Sequence, residues 1–326
     1  MKKTPKKTSK KKIDFAIGGQ AVIEGVMMRS PNHVVISVRK ADKSIAVKEK
    51  FYQNLTQRIR ALNIPIIRGV INLFEMMGVG FQAINFSANE YIEEEEDIKK
   101  RKKSSPDSDN TRQKSTAAKI GEAIMFLISL VLALGFSILL FKFLPLWLTT
   151  LLESKFQIIK DQFIIFNLID GFLKTLFFIL YIFVLSQFPS FKRIFEYHGA
   201  EHKSVFAYEA SLPLTVANAR KQSRFHPRCG TSFILIVFVI SILVYTLIPR
   251  QPDFASNLLM RLALLPLIAG LSYEYLKLSA RYANSKFAQL FVAPGLWLQR
   301  LTTKDPTDDQ LEIALHSLKR ALELEK

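Results

Sequence analysis

The chain has 326 residues, 49% hydrophobic and 22% charged, with a formal net charge of +17. Its single cysteine, Cys229, excludes an internal disulfide, and the apolar stretch after the N-terminal lysines is too short for a secretory h-region, so no signal peptide is expected. Residues 1–119 are rich in charge, while 120–300 hold long runs of Phe, Leu and Ile, a distribution that points to an integral membrane protein rather than a soluble globule.

In chain order, Lys2, Lys3, Lys6, Lys7, Lys10, Lys11 and Lys12 make 1–12 a polybasic disordered tail. Its charge suits anionic lipid head groups better than nucleic acid, given the membrane-embedded remainder. Residues 13–92 read as a small α+β module. His33–Arg39 and 44–50 are β-rich runs separated by Lys40-Ala41-Asp42-Lys43, which predicts a hairpin. A helix is expected near 68–91, and the apolar stretch 64–88, carrying Arg68 and Glu75, reads as amphipathic and lying on the membrane surface. Gly18-Gly19-Gln20-Ala21-Val22-Ile23-Glu24-Gly25 has the glycines of a tight turn without the strand-to-helix setting of a nucleotide loop, and that reading is declined. Residues 93–119, an acidic run, a basic run and then Ser104-Ser105-Pro106-Asp107-Ser108, read as a flexible linker.

The membrane domain is placed at 120–300, with candidate spans at 123–141, 163–188, 231–248 and 258–276. The second contains Asp170 and Lys174, four apart and therefore facing each other on a helix. The fourth, with Arg261 and Glu274 near its ends, is either a span or a re-entrant hairpin. Glu274 is a partner for the basic loop, a distal metal ligand or a carboxylate at head-group level. Lys and Arg concentrate in 189–230 and are sparse in 149–162 and 249–257, which puts both termini and the loop 189–230 in the cytoplasm. Residues 301–326 form a C-terminal amphipathic helix: Thr307 and Gln310 have capping-box spacing, and Leu311, Leu315, Leu318 and Leu322 make one stripe, expected to dock on a cytoplasmic surface.

The chemistry concentrates between the second and third spans, in Tyr197-His198-Gly199-Ala200-Glu201-His202-Lys203 and Phe225-His226-Pro227-Arg228-Cys229-Gly230-Thr231. On a helix His198 and His202 share one face, with Glu201 beside them. The order H-x-x-E-H suits two imidazoles on one divalent metal, zinc or another, and a carboxylate acting on water. His226 and Cys229 are the further ligand candidates, with Glu209 another. Against this, the motif has few fixed positions and Gly199 weakens the helix it needs.

The segments 18–29 (GGQAVIEGVMMR), 68–69 (RG), 197–203 (YHGAEHK), 226–233 (HPRCGTSF), 271–274 (LSYE) and 294–303 (PGLWLQRLTT) resemble the bacterial YqhQ family over nearly the whole chain from about residue 15. The resemblance implies a bacterial membrane location and a family of unknown function commonly labelled a predicted metal-dependent enzyme.

The expectation is thus a mainly α-helical polytopic membrane protein of about four transmembrane helices with a small α+β N-terminal cytoplasmic module. Its expected site has His198 and His202 as ligands, Cys229 or His226 as the third, and Glu201 as general base of a metal-dependent hydrolase. The alternative is a non-catalytic scaffold or assembly factor holding an unidentified protein partner on its basic face. A transporter, using Asp170, Lys174, Arg261 and Glu274, is a third option.

Overall fold

The structure, a computed structural model, describes residues 17–101, 116–249, 251–281 and 286–326. The tail 1–12 and most of the charged linker lie outside the described residues. The chain is mainly helical, with one antiparallel four-stranded sheet in the order β1 (Gly18–Val22), β2 (Gly25–Arg29), β3 (His33–Arg39), β4 (Ile45–Phe51). The helices are α1 (Leu55–Arg58), α2 (Ile67–Arg101), α3 (Thr116–Ile138), α4 (Leu144–Glu153), α5 (Gln157–Asp161), α6 (Phe163–Leu185), α7 (Pro189–Glu209), α8 (Val216–Arg220), α9 (Gly230–Thr246), α10 (Phe254–Ala263), α11 (Leu265–Arg281), α12 (Lys286–Thr302) and α13 (Asp308–Glu323).

The expected hairpin is β3–β4. The glycine-rich segment before it forms a second hairpin, β1–β2, in which Val22 pairs with Gly25 around a two-residue turn. Strand residues alternate faces. Val26, Met28 and Val35 therefore pack with Tyr197 of α7 and with Leu311, Leu315 and Leu318 of α13, while Met27, Val34, Ile36 and Val38 pack with Val79 and Ala83 of α2. Both faces are covered, so β2 reads as a nearly continuous buried run. The module is completed by helices from the far end of the chain. The capping box of α13 is present, with Thr307 Oγ1 accepting from Gln310 N and Gln310 Oε1 accepting from Thr307 N. The predicted stripe lies on the sheet and α7, where Ser317 Oγ also donates to the Val35 carbonyl at 2.9 Å.

Helix α2 runs on through the acidic run to Arg101 instead of stopping near 92. Ile67, Phe74, Met77, Phe81 and Ile84 are exposed along it, an apolar stripe facing away from the sheet. Arg68 makes a forked ion pair with Glu274 of α11, one arm at 2.6 Å. Glu274 thus belongs to the join between α2 and α11, and neither to the basic loop nor to the histidine cluster.

Among the described residues, two helices are long and apolar enough to cross a membrane. One is Leu127–Glu153, 27 residues continuous through a π-helical turn at Leu139–Phe143; the other is Phe163–Leu185, 23 residues. A third is available if α10 and α11, bent by 42° at their junction, count as one broken span. Two or three candidate spans thus stand among the described residues where about four were expected. Helix α9 has 17 residues, about 26 Å at the standard rise, short of the roughly 30 Å of hydrocarbon thickness. Its N-cap at Cys229 and the break before Pro249 shorten the apolar run on both sides.

Asp170 and Lys174 pair as expected, but inside the helix cluster, each with only 1% side-chain exposure. Arg261 of α10 joins the same carboxylate oxygen of Asp170 and donates to Asn167 Oδ1 at 2.6 Å. Asn167 Nδ2 donates to the Tyr245 carbonyl at 2.9 Å, and Tyr245 Oη donates to the Arg261 carbonyl at 3.1 Å. This polar knot joins α6, α9 and α10 where the surroundings are otherwise apolar.

Candidate metal centre

Helix α7 sets His198 and His202 one turn apart, with ring centroids 4.4 Å from each other. Gly199, an odd choice for a helix interior, is explained by a crossing chain. A Cβ there would stand 2.0 Å from the Lys304 carbonyl oxygen, and Lys304 N donates to the Phe195 carbonyl at 2.8 Å. The segment after α12 therefore lies directly on α7 at the histidines.

Hydrogen bonds fix both imidazole tautomers, since a carbonyl can only accept. His198 Nδ1 donates to the Thr302 carbonyl at 2.8 Å, and His202 Nδ1 donates to the Arg224 carbonyl at 2.5 Å. Each neutral ring then keeps an Nε2 lone pair. His198 Nε2 lies 3.2 Å from Cys229 Sγ. Among the described residues, buried His202 Nε2 has no hydrogen-bond partner, an arrangement that costs about 1–3 kcal/mol unless something fills it. One ligand atom from each of His198, His202 and Cys229 lies within 4.8 Å of the others. Zinc bond lengths of about 2.0–2.3 Å need only a small contraction of such a set. A nitrogen–nitrogen–sulfur triad fits a divalent metal of zinc type and can hold one. Desolvation pushes His198 below the ordinary histidine value, opposed by the Glu201 charge and the Thr302 carbonyl, which favours the neutral, ligating form.

His226 is not part of the triad. Gln299 of α12 clamps its backbone from both sides, accepting from its N at 2.7 Å and donating to its carbonyl at 2.8 Å. Its Nδ1 accepts from Arg228 N at 3.3 Å, and Nε2 turns to Glu209 Oε1 at 3.4 Å. Burial raises the Glu209 carboxyl, but His226 and Arg228 outweigh it and hold Glu209 below the usual carboxylate range. His226, Glu209 and Arg228 form a separate ion cluster behind the triad. Cys229 emerges from the same loop as N-cap of α9, its sulfur accepting from Thr231 N.

Glu201 is 5% exposed, and its Oε2 lies 3.4 Å from His202 Nε2. The cations nearest in sequence are engaged elsewhere: Lys203 and Arg224 with Asp305, and Arg228 with Glu209. Gly19 of β1 is packed against it. A Cβ at Gly19 would stand 2.8 Å from Glu201 Cγ and 2.5 Å from the Met27 carbonyl oxygen. Gly19→Ala is therefore expected to cost about 1–3 kcal/mol, the range for overpacking, and to displace Glu201; a denaturation midpoint equal to wild type would show that this contact gives way freely.

Sequence reasoning gave no role to Gly19, Gln299 or the Thr302 carbonyl. Gly19 and the run 294–303 were visible as specific motifs, and what they touch became visible only in the folded chain.

A family model described as protein of unknown function (DUF1385) matches residues 64–324. The uncharacterized protein YqhQ of Bacillus subtilis (strain 168) is 36% identical over 323 residues, covering 97% of this chain and 95% of that relative. No solved structure matches. With the family model spanning most of the chain and the relative aligned almost end to end, the protein belongs to the YqhQ family, DUF1385, whose function is not assigned.

Proposed function

We propose that the protein is a membrane-embedded, metal-dependent hydrolase whose site lies on the cytoplasmic side. His198, His202 and Cys229 hold the metal, zinc in first place, and Glu201 is the general base. The observation that carries this reading is the pair of imidazoles, each anchored through Nδ1 to a carbonyl, with one ligand atom from each within 4.8 Å of the other and of Cys229. Three protein ligands leave a fourth tetrahedral position for water or substrate. A bound divalent ion would supply Lewis acidity toward a substrate carbonyl or phosphoryl oxygen and the attacking water. Glu201 would be the acceptor for that water's proton, and among the described residues no lysine or arginine is paired with it.

The test is Glu201→Gln, which preserves shape and removes the base. This variant should retain metal, measured by mass spectrometry of the purified protein, and fail to complement a deletion strain. Full complementation would remove the hydrolase reading. It would leave the scaffold, which has less support because Arg193, Arg220 and Arg228 of the basic loop pair with Glu24, Asp308 and Glu209.

The topology rests on the Lys/Arg bias of the loops. Helices α4 and α6 return the chain to its starting side, so 149–162 faces outward and the sheet, α7 and α13 face the cytoplasm. A cysteine placed at Ser154 is expected to react with an impermeant reagent in intact cells, and one at Ser211, which is also exposed, is not. Labelling at position 211 without lysis would reverse the orientation.

A further inference from the structure

A cavity of about 380 Å³ lies between the β1–β2 hairpin and α1, α2 and α11, its wall including Gly18, Gly19, Arg29, Ser30, Asn54 and Gln57. That volume falls within the roughly 300–1,000 Å³ of small-molecule sites. Among the described residues, no acidic side chain lines it.

Arg29 is the cation of the cavity. Among the described residues no carboxylate is in ion-pair contact with its guanidinium. Its N–H groups go to the thioether of Met76 at 2.7 Å and to Asn54 Oδ1 at 2.5 Å, and its Cζ lies 5.0 Å from the centre of the Tyr52 ring. A thioether is a weak acceptor, and a half-buried guanidinium served only by neutral groups is a fork without the anion it matches. The nearby carboxylate of Glu75 accepts the Leu55 N–H at 2.8 Å and is not part of the wall.

Gly19 joins this cavity to the metal centre. It lines the cavity, and Glu201 packs against the same residue. Strand β1 is the edge of the sheet and carries no side chain at Gly18 or Gly19. The edge strand β1 thus stands between the cavity, on the α2 face of the sheet, and the Glu201 carboxylate, on the α7 face. A Cβ at Gly18 would meet nothing within 4 Å, so that position opens onto free space.

We propose that this cavity binds the anionic end of a small molecule, a phosphate or a carboxylate, through Arg29, and that it is the substrate-recognition subsite of the centre built on His198, His202 and Cys229. Its role toward the substrate rests on the hydrolase reading; binding of the anion does not.

The test uses the full-length protein in detergent, titrated calorimetrically with inorganic phosphate and with succinate at constant ionic strength, with chloride as control. Saturable binding of phosphate or succinate is expected, and which of the two binds identifies the group. Gly18→Leu, which fills the cavity from an uncrowded position, and Arg29→Gln should each weaken binding at least tenfold with metal content unchanged. Absence of saturable binding, or binding unaltered in Gly18→Leu, overturns the proposal. Anion binding that persists when a His202→Ala protein has lost its metal supports the cavity as an independent binding site. A wild-type protein that binds the anion but never metal would remove the hydrolase reading and leave the anion site standing.

Discussion

His202→Ala protein is expected to lose its metal. In the proposed centre His202 supplies one of three ligand atoms, and its Nδ1 is already committed to the Arg224 carbonyl, so Nε2 is the atom left to ligate. Losing an outer-shell partner typically weakens metal affinity about 10–100-fold; losing a ligand from a three-residue set should exceed that. Competition with a chelator of known affinity measures the change, and circular dichroism reports whether the helices persist. An affinity within tenfold of wild type would mean that the ion, if bound, sits elsewhere. Cys229→Ser is the companion variant, replacing a thiolate ligand by a hydroxyl at the N-cap of α9, where serine also caps well. It should weaken metal binding while leaving the helix start intact.

The largest loss of stability is expected from Asp170→Asn. The carboxylate takes both Lys174 and Arg261, and all three side chains are at least nine-tenths buried. Removing the anion leaves two cations facing each other in an apolar helix cluster. Breaking a buried pair in this way costs about 3–5 kcal/mol, because the uncompensated charge stays behind. The double variant Asp170→Asn/Lys174→Met should recover part of the loss, since it removes one stranded cation and keeps the volume. Thermal unfolding in detergent and the steady-state amount in membranes both read this. A loss below about 1 kcal/mol would place the group in the hydrated, surface-like regime, and water would then have to reach Asp170.

What the sequence alone determined here is what short-range geometry encodes. Residues four apart on a helix meet, so Asp170 with Lys174 and His198 with His202 were legible from spacing. The capping box at Thr307 and the β3–β4 hairpin were legible for the same reason, because the groups involved lie within a few residues of one another. The apolar runs at 123–141 and 163–188 announced themselves by length, although the first helix of the fold continues to Glu153 and the second ends at Leu185. The tertiary structure decided whatever depends on distant segments meeting. Cys229 and His226 sit three residues apart and looked equivalent as third ligands; the grip of Gln299 on the His226 backbone turns that ring to Glu209 and leaves the sulfur to the histidines. Gly199 looked like a flaw in a helix until Lys304 was found crossing it, and Gly18-Gly19 looked like a turn until Glu201 was found behind it. The sheet, too, is closed by α13 from the far end of the chain. Local spacing sets which side chains share a face, but which of two nearby donors reaches a site is fixed by close packing against residues far away in sequence, where tenths of an ångström decide and no periodicity records the choice.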